Sequence, residues 1–244
     1  MSNFETLLKC MDLKYNDRWH PIIIDTFEKV LSDGKYNGMS KELRKNIVYT
    51  LQYLQYLQIQ FEDIKLHSVI EKHLVKTYMI NSCGIIEGVF HHLLKSHNFY
   101  NKEEWETRDK PVHTNPFMKN GEEQKHVITT YYKLRTPKNG EMDFAAIIQK
   151  IKDKSLLSLN GKDYLILGIL RNKRNKIHLQ KTDKINDTDF LCLDKDDYLL
   201  TRYILHKILT NNKLDITVDS TCLDFISLSS DELNILKQRK GDLL

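Results

Sequence analysis

Apolar residues recur every three or four positions through most of the chain, which is the spacing of amphipathic α-helices. In the stretch 41–61, tyrosines and leucines follow this spacing behind Ser40, a residue type favoured at helix N-caps. A second long helix is expected over 65–96, whose apolar positions suit burial on more than one side. Helices are further predicted over 3–12, 21–32, 143–154, 161–179, 198–211 and, behind the capping box of Ser229 and Glu232, up to about Lys240.

The pattern changes at residue 98. Residues 98–125 are polar, contain prolines and a glycine, and are expected to form a surface excursion. The stretch 126–136 is rich in β-branched and aromatic residues, which predicts a strand that Pro137 and the residues after it terminate. The expected fold is therefore mainly α: an antiparallel helical bundle with an irregular or small β insertion near 98–140.

Composition narrows the class of protein. The chain has 244 residues and a mass of 28.9 kDa, with 41% hydrophobic and 29% charged residues, which excludes collagen-like and disordered chains. Only 9 glycines and 4 prolines are present, a scarcity that favours long helices over many short strands. No apolar run approaches the roughly 18 residues of a membrane span, so no membrane partner is expected.

Cysteine usage and charge suggest the compartment and the partner. The four cysteines lie far apart without a CxxC pair, and the first residues lack the pattern of a signal peptide. We therefore expect a cytoplasmic protein with reduced thiols. The formal net charge of +4 permits a polyanionic partner without requiring one.

One polar stripe carries candidate chemistry. On a helix that turns about 100° per residue, Arg171, Arg174, Asn175 and His178 lie within about 100° of one another. The guanidinium group offers planar donors that suit phosphate oxygens, and histidine can take or give a proton near neutral pH. These groups could move a phosphodiester without a metal if the substrate supplied its own nucleophile, the 2′-hydroxyl of RNA.

The same residues have a simpler interpretation. A run of lysines and arginines near the end of a helix is favourable to the helix dipole without any further function. His178 would then be a surface or capping residue, and the chain a plain helical adaptor.

A resemblance favours the first interpretation. Arg171 and Asn172, followed by His178, fit the R-x(4–6)-H pattern of the HEPN superfamily, and residues 174–179 resemble the RN-x-I-H core frequent in these proteins. The resemblance covers about residues 40–97 and 143–212 and includes the order of the helices. It implies an N-terminal helical extension (1–39), a HEPN-like helical domain (40–212) that contains the insertion 98–140, and a C-terminal tail with a short helix (213–244).

The resemblance implies a metal-independent endoribonuclease that needs no cofactor and acts on RNA as a homodimer. Such proteins commonly serve as bacterial toxins or antiviral defence effectors, so an antitoxin or other regulatory protein is a possible partner. His178 would be the general acid or base and Arg171 would hold the scissile phosphate. The shorter spacing from Arg174 to His178 leaves open which arginine acts. The alternative is a non-catalytic HEPN module that binds RNA or a partner protein.

Further residues are assigned supporting roles. Asn172 and Asn175 are expected to orient the arginines or the phosphate. Glu87 lies in an otherwise apolar stretch, where a carboxylate is costly without a partner, and Arg171 or Arg174 is the natural one. No metal site is expected, because the histidines lack a ligand frame. Weaker candidates for RNA binding are the basic residues Lys173, Lys176, Lys133 and Arg135.

Overall fold

The computed structural model describes residues 19–176 and 189–244. Within these ranges the chain is mainly helical, as expected, and carries short 3-10 turns at Gly34–Tyr36, Asn212–Leu214, Thr221–Ile226 and Gly241–Leu243. The helices are α1 (Ile24–Val30), α2 (Lys41–Asp63), α3 (Ser68–Ser96), α4 (Phe144–Asp153), α5 (Gly161–Asn175), α6 (Asp189–Cys192), α7 (Lys195–Leu209) and α8 (Ser230–Lys240). The strands are β1 (Lys102–Thr107), β2 (Val112–His113), β3 (Phe117–Lys119), β4 (Glu122–Gln124), β5 (Val127–Ile128) and β6 (Tyr131–Asn139).

Helix α3 is the centre of the bundle. It packs against α2, α4, α5 and α7, and its buried side chains point in several directions rather than along one stripe. Burial on several sides explains why apolar residues fill most of its length in the sequence. The position of α5 against α3 and α4 determines where the polar stripe lies.

Side-chain caps determine where the helices begin. Ser40 caps α2, and Ser229 forms the predicted capping box with Glu232. Asp194 forms a further capping box with Asp197, so α7 begins at Lys195 rather than at residue 198. His67 accepts a hydrogen bond from the Val69 amide, and α3 therefore begins at Ser68 rather than at residue 65.

The insertion is a long β-hairpin, which we call the arm (residues 102–139). Its strands pair antiparallel in nested order, β1 with β6, β2 with β5 and β3 with β4. Asn120 and Gly121 make the tip with φ values of 56° and 82°, as a two-residue type I′ turn requires. The polar stretch 98–125 thus contains strands that the sequence analysis missed, because a strand exposed on both faces lacks an apolar alternation.

Pro137 does not end the last strand, contrary to expectation. Strand β6 continues to Asn139. Lys138 pairs with Glu103 while Lys133 pairs with Trp105, so the residues between them bulge from the ladder. Pro137 lies within this bulge, where the residues of β6 have no partner on β1. A proline, which lacks a backbone N–H, is therefore tolerated there.

The hydrophobic core is continuous across the boundaries predicted at residues 39 and 212. Phe27 and Tyr36 on one side and Leu236 on the other belong to the same buried cluster. The Tyr36 hydroxyl donates to the Leu209 carbonyl at 3.2 Å. The predicted helix 3–12 lies outside the described residues. None of the described helices is both long and apolar enough to cross a membrane.

A buried ion pair fixes the end of α5 against α7. The Lys173 ammonium lies 2.6 Å from both carboxylate oxygens of Asp197 and 2.8 Å from the Cys192 carbonyl oxygen. The Asp197 side chain is only 4% exposed. Asp197 also completes the capping box of α7. The ion pair therefore links the position of Lys173 on α5 to the first turn of α7.

We predict that Lys173→Met destabilises the protein by about 3 kcal/mol, since it leaves a buried carboxylate without its cation. Urea unfolding at pH 7 measures this loss. Lys162→Met is the matched control on the same helix, because Lys162 is exposed and its removal loses only a surface hydrogen bond to the Leu244 carbonyl, at a cost of about 1 kcal/mol or less.

The loss of stability caused by Lys173→Met should become smaller as the pH is lowered from 7 to 5. Burial raises the pKa of Asp197 above its usual value, whereas Lys173 opposes that rise. Without Lys173 the pKa of Asp197 rises further. As the pH falls, Asp197 of the variant is therefore protonated in the folded protein at a higher pH than in the unfolded chain. This proton uptake stabilises the folded variant relative to wild type. A deficit that is equal or larger at pH 5 would contradict this assignment.

Candidate functional site

Helix α5 has a buried side and a polar side. Asn160 and Asp163 form its capping box, and Ile166, Leu167 and Leu170 are buried against the core. Arg171 and the residues after it therefore lie in the last two turns, at the edge of the bundle. The described helix ends at Asn175, whereas the sequence predicted a helix to residue 179. His178, the predicted acid or base, lies outside the described residues.

The arginines line an open cleft of about 430 Å³. Arg171, Arg174 and Asn175 contribute from the end of α5 and Glu87 from the middle of α3. Four residues that the sequence analysis assigned to one site thus lie around one cavity. The opposite wall is the start of α4, formed by Asp143, Phe144 and Ala145.

Glu87 is bound to one of the two arginines proposed for it. Its Oε2 lies 3.0 Å from Nη2 of Arg174, and each side chain is about 30% exposed. The Arg174 guanidinium also lies over the Phe144 ring, 5.8 Å from its centroid. These contacts from α3 and α4 fix Arg174 and neutralise much of its charge.

Arg171 has a different environment. Its Nε and Nη2 donate to the Asn172 side-chain oxygen at 3.2 and 2.7 Å. Asn172 thus orients this guanidinium, the kind of role the sequence analysis expected. Within the described ranges Arg171 forms no ion pair with a carboxylate. About three of its five N–H donors remain for a ligand, so the cleft holds one arginine that forms no ion pair in the described part of the chain, although the Asp143 carboxylate lines the same cleft.

The start of α4 belongs to the site, although the sequence analysis did not assign it. The Asp143 side chain accepts a hydrogen bond from the Ala146 amide at 2.7 Å and so caps the helix. The first amides of a helix carry partial positive charge, and at the cleft wall the capping carboxylate of Asp143 lies against them. Asp143 is recognisable as a cap in the sequence, but its proximity to Arg171 depends on tertiary packing.

The other predicted residues are dispersed. Lys173 is held by Asp197 and does not line the cleft. Lys176 follows the last residue of α5, and Lys133 and Arg135 lie on the arm. Below the cleft, burial raises the pKa of the Cys83 thiol to about 12, so it stays protonated at neutral pH and is a core residue.

In the part of the chain that the structure describes, no group of three or more His, Cys, Asp or Glu side chains is arranged to hold a metal ion. No protein-family model matches the chain, and neither a curated protein nor a solved structure matches it. The functional interpretation therefore depends on the residues of the cleft themselves.

We predict that Glu87→Gln increases the affinity of the cleft for inorganic phosphate several-fold. The substitution keeps the shape of the side chain, removes one negative charge and releases Arg174 from its ion pair. Isothermal titration calorimetry with phosphate measures the change, and Arg171→Gln should lower the affinity. An unchanged or weaker affinity in Glu87→Gln would show that Glu87 does not compete with an anion.

Proposed function

We propose that the chain is a metal-independent endoribonuclease of the HEPN type. The observation that carries the proposal is the Arg171 guanidinium, which Asn172 holds in the cleft and which forms no ion pair among the described residues. Arg174, Asn175, Glu87 and Asp143 line the same cleft. An open cavity with an arginine fork that forms no ion pair suits a phosphate group of an extended polymer. The role of such an enzyme as a bacterial toxin or antiviral defence effector, restrained by an antitoxin or other regulatory protein, is part of the proposal.

Arg171 is proposed to hold the scissile phosphate and to stabilise the charge that develops on its oxygens. Arg174, one helical turn farther along α5, is proposed to assist Arg171. Glu87 is its positioning residue. The shorter spacing to His178 still allows Arg174 to be the principal arginine.

His178 is proposed to transfer protons. It follows Asn175, a residue of the cleft, by three positions in the sequence. The substrate 2′-hydroxyl loses its proton and its oxygen forms a bond to phosphorus, while the bond from phosphorus to the 5′-oxygen breaks. The leaving oxygen takes up a proton, and the products carry a 2′,3′-cyclic phosphate and a 5′-hydroxyl.

One group must remove the proton of the 2′-hydroxyl, and another must protonate the leaving 5′-oxygen. This requirement favours two histidines at the site. A two-fold homodimer would supply the second His178 from an identical surface. The cytoplasm, where RNA is abundant, is the proposed location.

A non-catalytic module that binds RNA or a partner protein is the second candidate. The ion pair between Arg174 and Glu87 favours it, because this contact already satisfies one of the two arginines without a substrate. Cleavage assays separate the two candidates.

We expect the purified protein to cleave RNA in the presence of EDTA and to spare an RNA whose scissile 2′-hydroxyl is replaced by hydrogen. Arg171→Ala should lower single-turnover cleavage about a hundredfold or more, as loss of a donor to a developing oxyanion does. Arg171→Lys should not restore the rate, because an ammonium lacks the planar fork. His178→Ala should abolish cleavage.

Arg239→Ala is the matched control, since the Arg239 side chain is 57% exposed where it pairs with the mostly buried Asp196, and it is remote in sequence from the stripe. It should cleave at the wild-type rate. A strict requirement for Mg²⁺ would overturn the mechanism. If Arg174→Ala abolishes single-turnover cleavage while Arg171→Ala leaves it unchanged, the two arginines exchange roles.

The assembly has its own test. We expect a homodimer of about 58 kDa, twice the 28.9 kDa of the chain, in light scattering at micromolar concentration. A monomer that cleaves RNA at that concentration would contradict the composite site.

A further inference from the structure

The arm exposes aromatic side chains that the bundle does not cover. Trp105 on β1 is 53% exposed and Tyr131 on β6 is 60% exposed. Two-stranded hairpins have no core of their own, so large apolar groups on them remain in water unless a ligand covers them. Their arrangement on the ladder identifies the kind of ligand.

The two faces of the arm have different chemistry near its base. Trp105 lies opposite Lys133 and Thr107 lies opposite Tyr131, so these four side chains share one face. The Lys133 ammonium lies over the Trp105 ring, 5.9 Å from its centroid. We call this side the aromatic face.

The opposite face is internally satisfied. It carries Glu106, whose carboxylate is 2.8 Å from Arg108 and 3.4 Å from Lys138. Tyr132 lies directly opposite Glu106 and donates its hydroxyl hydrogen to Asp109. Cations and anions on this face therefore neutralise one another, and little of its charge is left for a ligand.

Two cations of β6 near the aromatic face carry no ion pair. Across the described ranges, neither Lys133 nor Arg135 forms one, and the exposed Arg135 lies two residues beyond Lys133, in the bulge of the strand. Side chains on one face of a ladder recur about 7 Å apart. The rings of Trp105 and Tyr131 thus offer two neighbouring apolar surfaces beside positive charge.

The arm begins and ends next to the cleft. Its last strand finishes at Asn139, and the chain reaches Asp143 in the cleft wall after four residues, a distance of at most about 14 Å. Its first strand is anchored at the same place, because the Gly140 amide donates to the Asn101 carbonyl at 3.0 Å. The base of the arm therefore lies close to the wall of the cleft.

We propose that the aromatic face of the arm, formed by Trp105, Tyr131 and Lys133 with Arg135 beside it, binds single-stranded RNA and guides it to the cleft. Bases stack on the two rings, and the phosphates lie near the lysine and the arginine. The choice of RNA rests on the proposed function. The combination of stacking surfaces and unpaired cations favours a nucleic acid over an apolar protein segment.

Tryptophan fluorescence reports this contact directly. The chain has two tryptophans, and Trp19→Phe leaves Trp105 as the only one. A single-stranded 2′-O-methyl oligouridylate, which lacks the attacking hydroxyl, is titrated into this variant. We expect quenching of Trp105 that saturates with RNA, is weaker with a duplex of equal length, and decreases as salt is raised. Absence of quenching at concentrations that saturate binding would overturn the proposal.

Fluorescence anisotropy of the same labelled oligonucleotide gives the affinity. The double variant Trp105→Ala with Tyr131→Ala should raise the Kd about tenfold or more. The matched control is Tyr49→Ala with Tyr53→Ala, which removes tyrosines of similar exposure from α2 and should leave the Kd unchanged. Equal effects of both double variants, or none from the arm variant, would refute the arm as the binding surface.

Two further outcomes are informative. If the arm variant binds RNA normally but loses its dimeric state, the aromatic face is a protein interface and the proposal is wrong. If binding depends on the arm while no RNA is cut, the inference stands and the proposed nuclease function fails. Circular dichroism of each variant verifies that the bundle is intact.

Discussion

The ion pair between Glu87 and Arg174 is the contact on which the architecture of the cleft depends. Glu87 lies on the central helix next to buried apolar residues, and its partly exposed carboxylate is paired there with a cation. Arg174 supplies it from α5 and so places the end of that helix beside the start of α4. With Arg174 paired in this way, Arg171 is the arginine of the cleft that has no ion pair among the residues the structure describes.

A second constraint acts on the other side of α5. Lys173 joins Asp197, so consecutive residues of one basic run serve opposite neighbours, one in α3 and one in α7. The run is therefore neither a uniformly solvated helix end nor a uniform RNA-binding patch. Two of its charges hold the helix in place, and the Arg171 guanidinium lines the cleft.

The helices were predictable because caps and periodicity are local. Ser40 and the pair Ser229 and Glu232 mark helix starts by side chains that bond amides within a few residues. The pairing of Glu87 with an arginine was also foreseeable, since a carboxylate in an apolar stretch needs a cation. Which arginine pairs could not be predicted, because both lie on one face and only packing separates them.

The arm and the wall of the cleft could not be predicted from the sequence, for a different reason. Strands β1 to β4 have water on both faces, so they lack the alternation by which half-buried strands are recognised. Their register depends on the turn at Asn120 and Gly121 and on pairing across up to 37 positions, as between Lys102 and Asn139.

The most direct test of the central claim is the chemistry of the RNA ends produced in EDTA. The account predicts 2′,3′-cyclic phosphate and 5′-hydroxyl ends, and products with 5′-phosphate ends, or intact RNA, would contradict it.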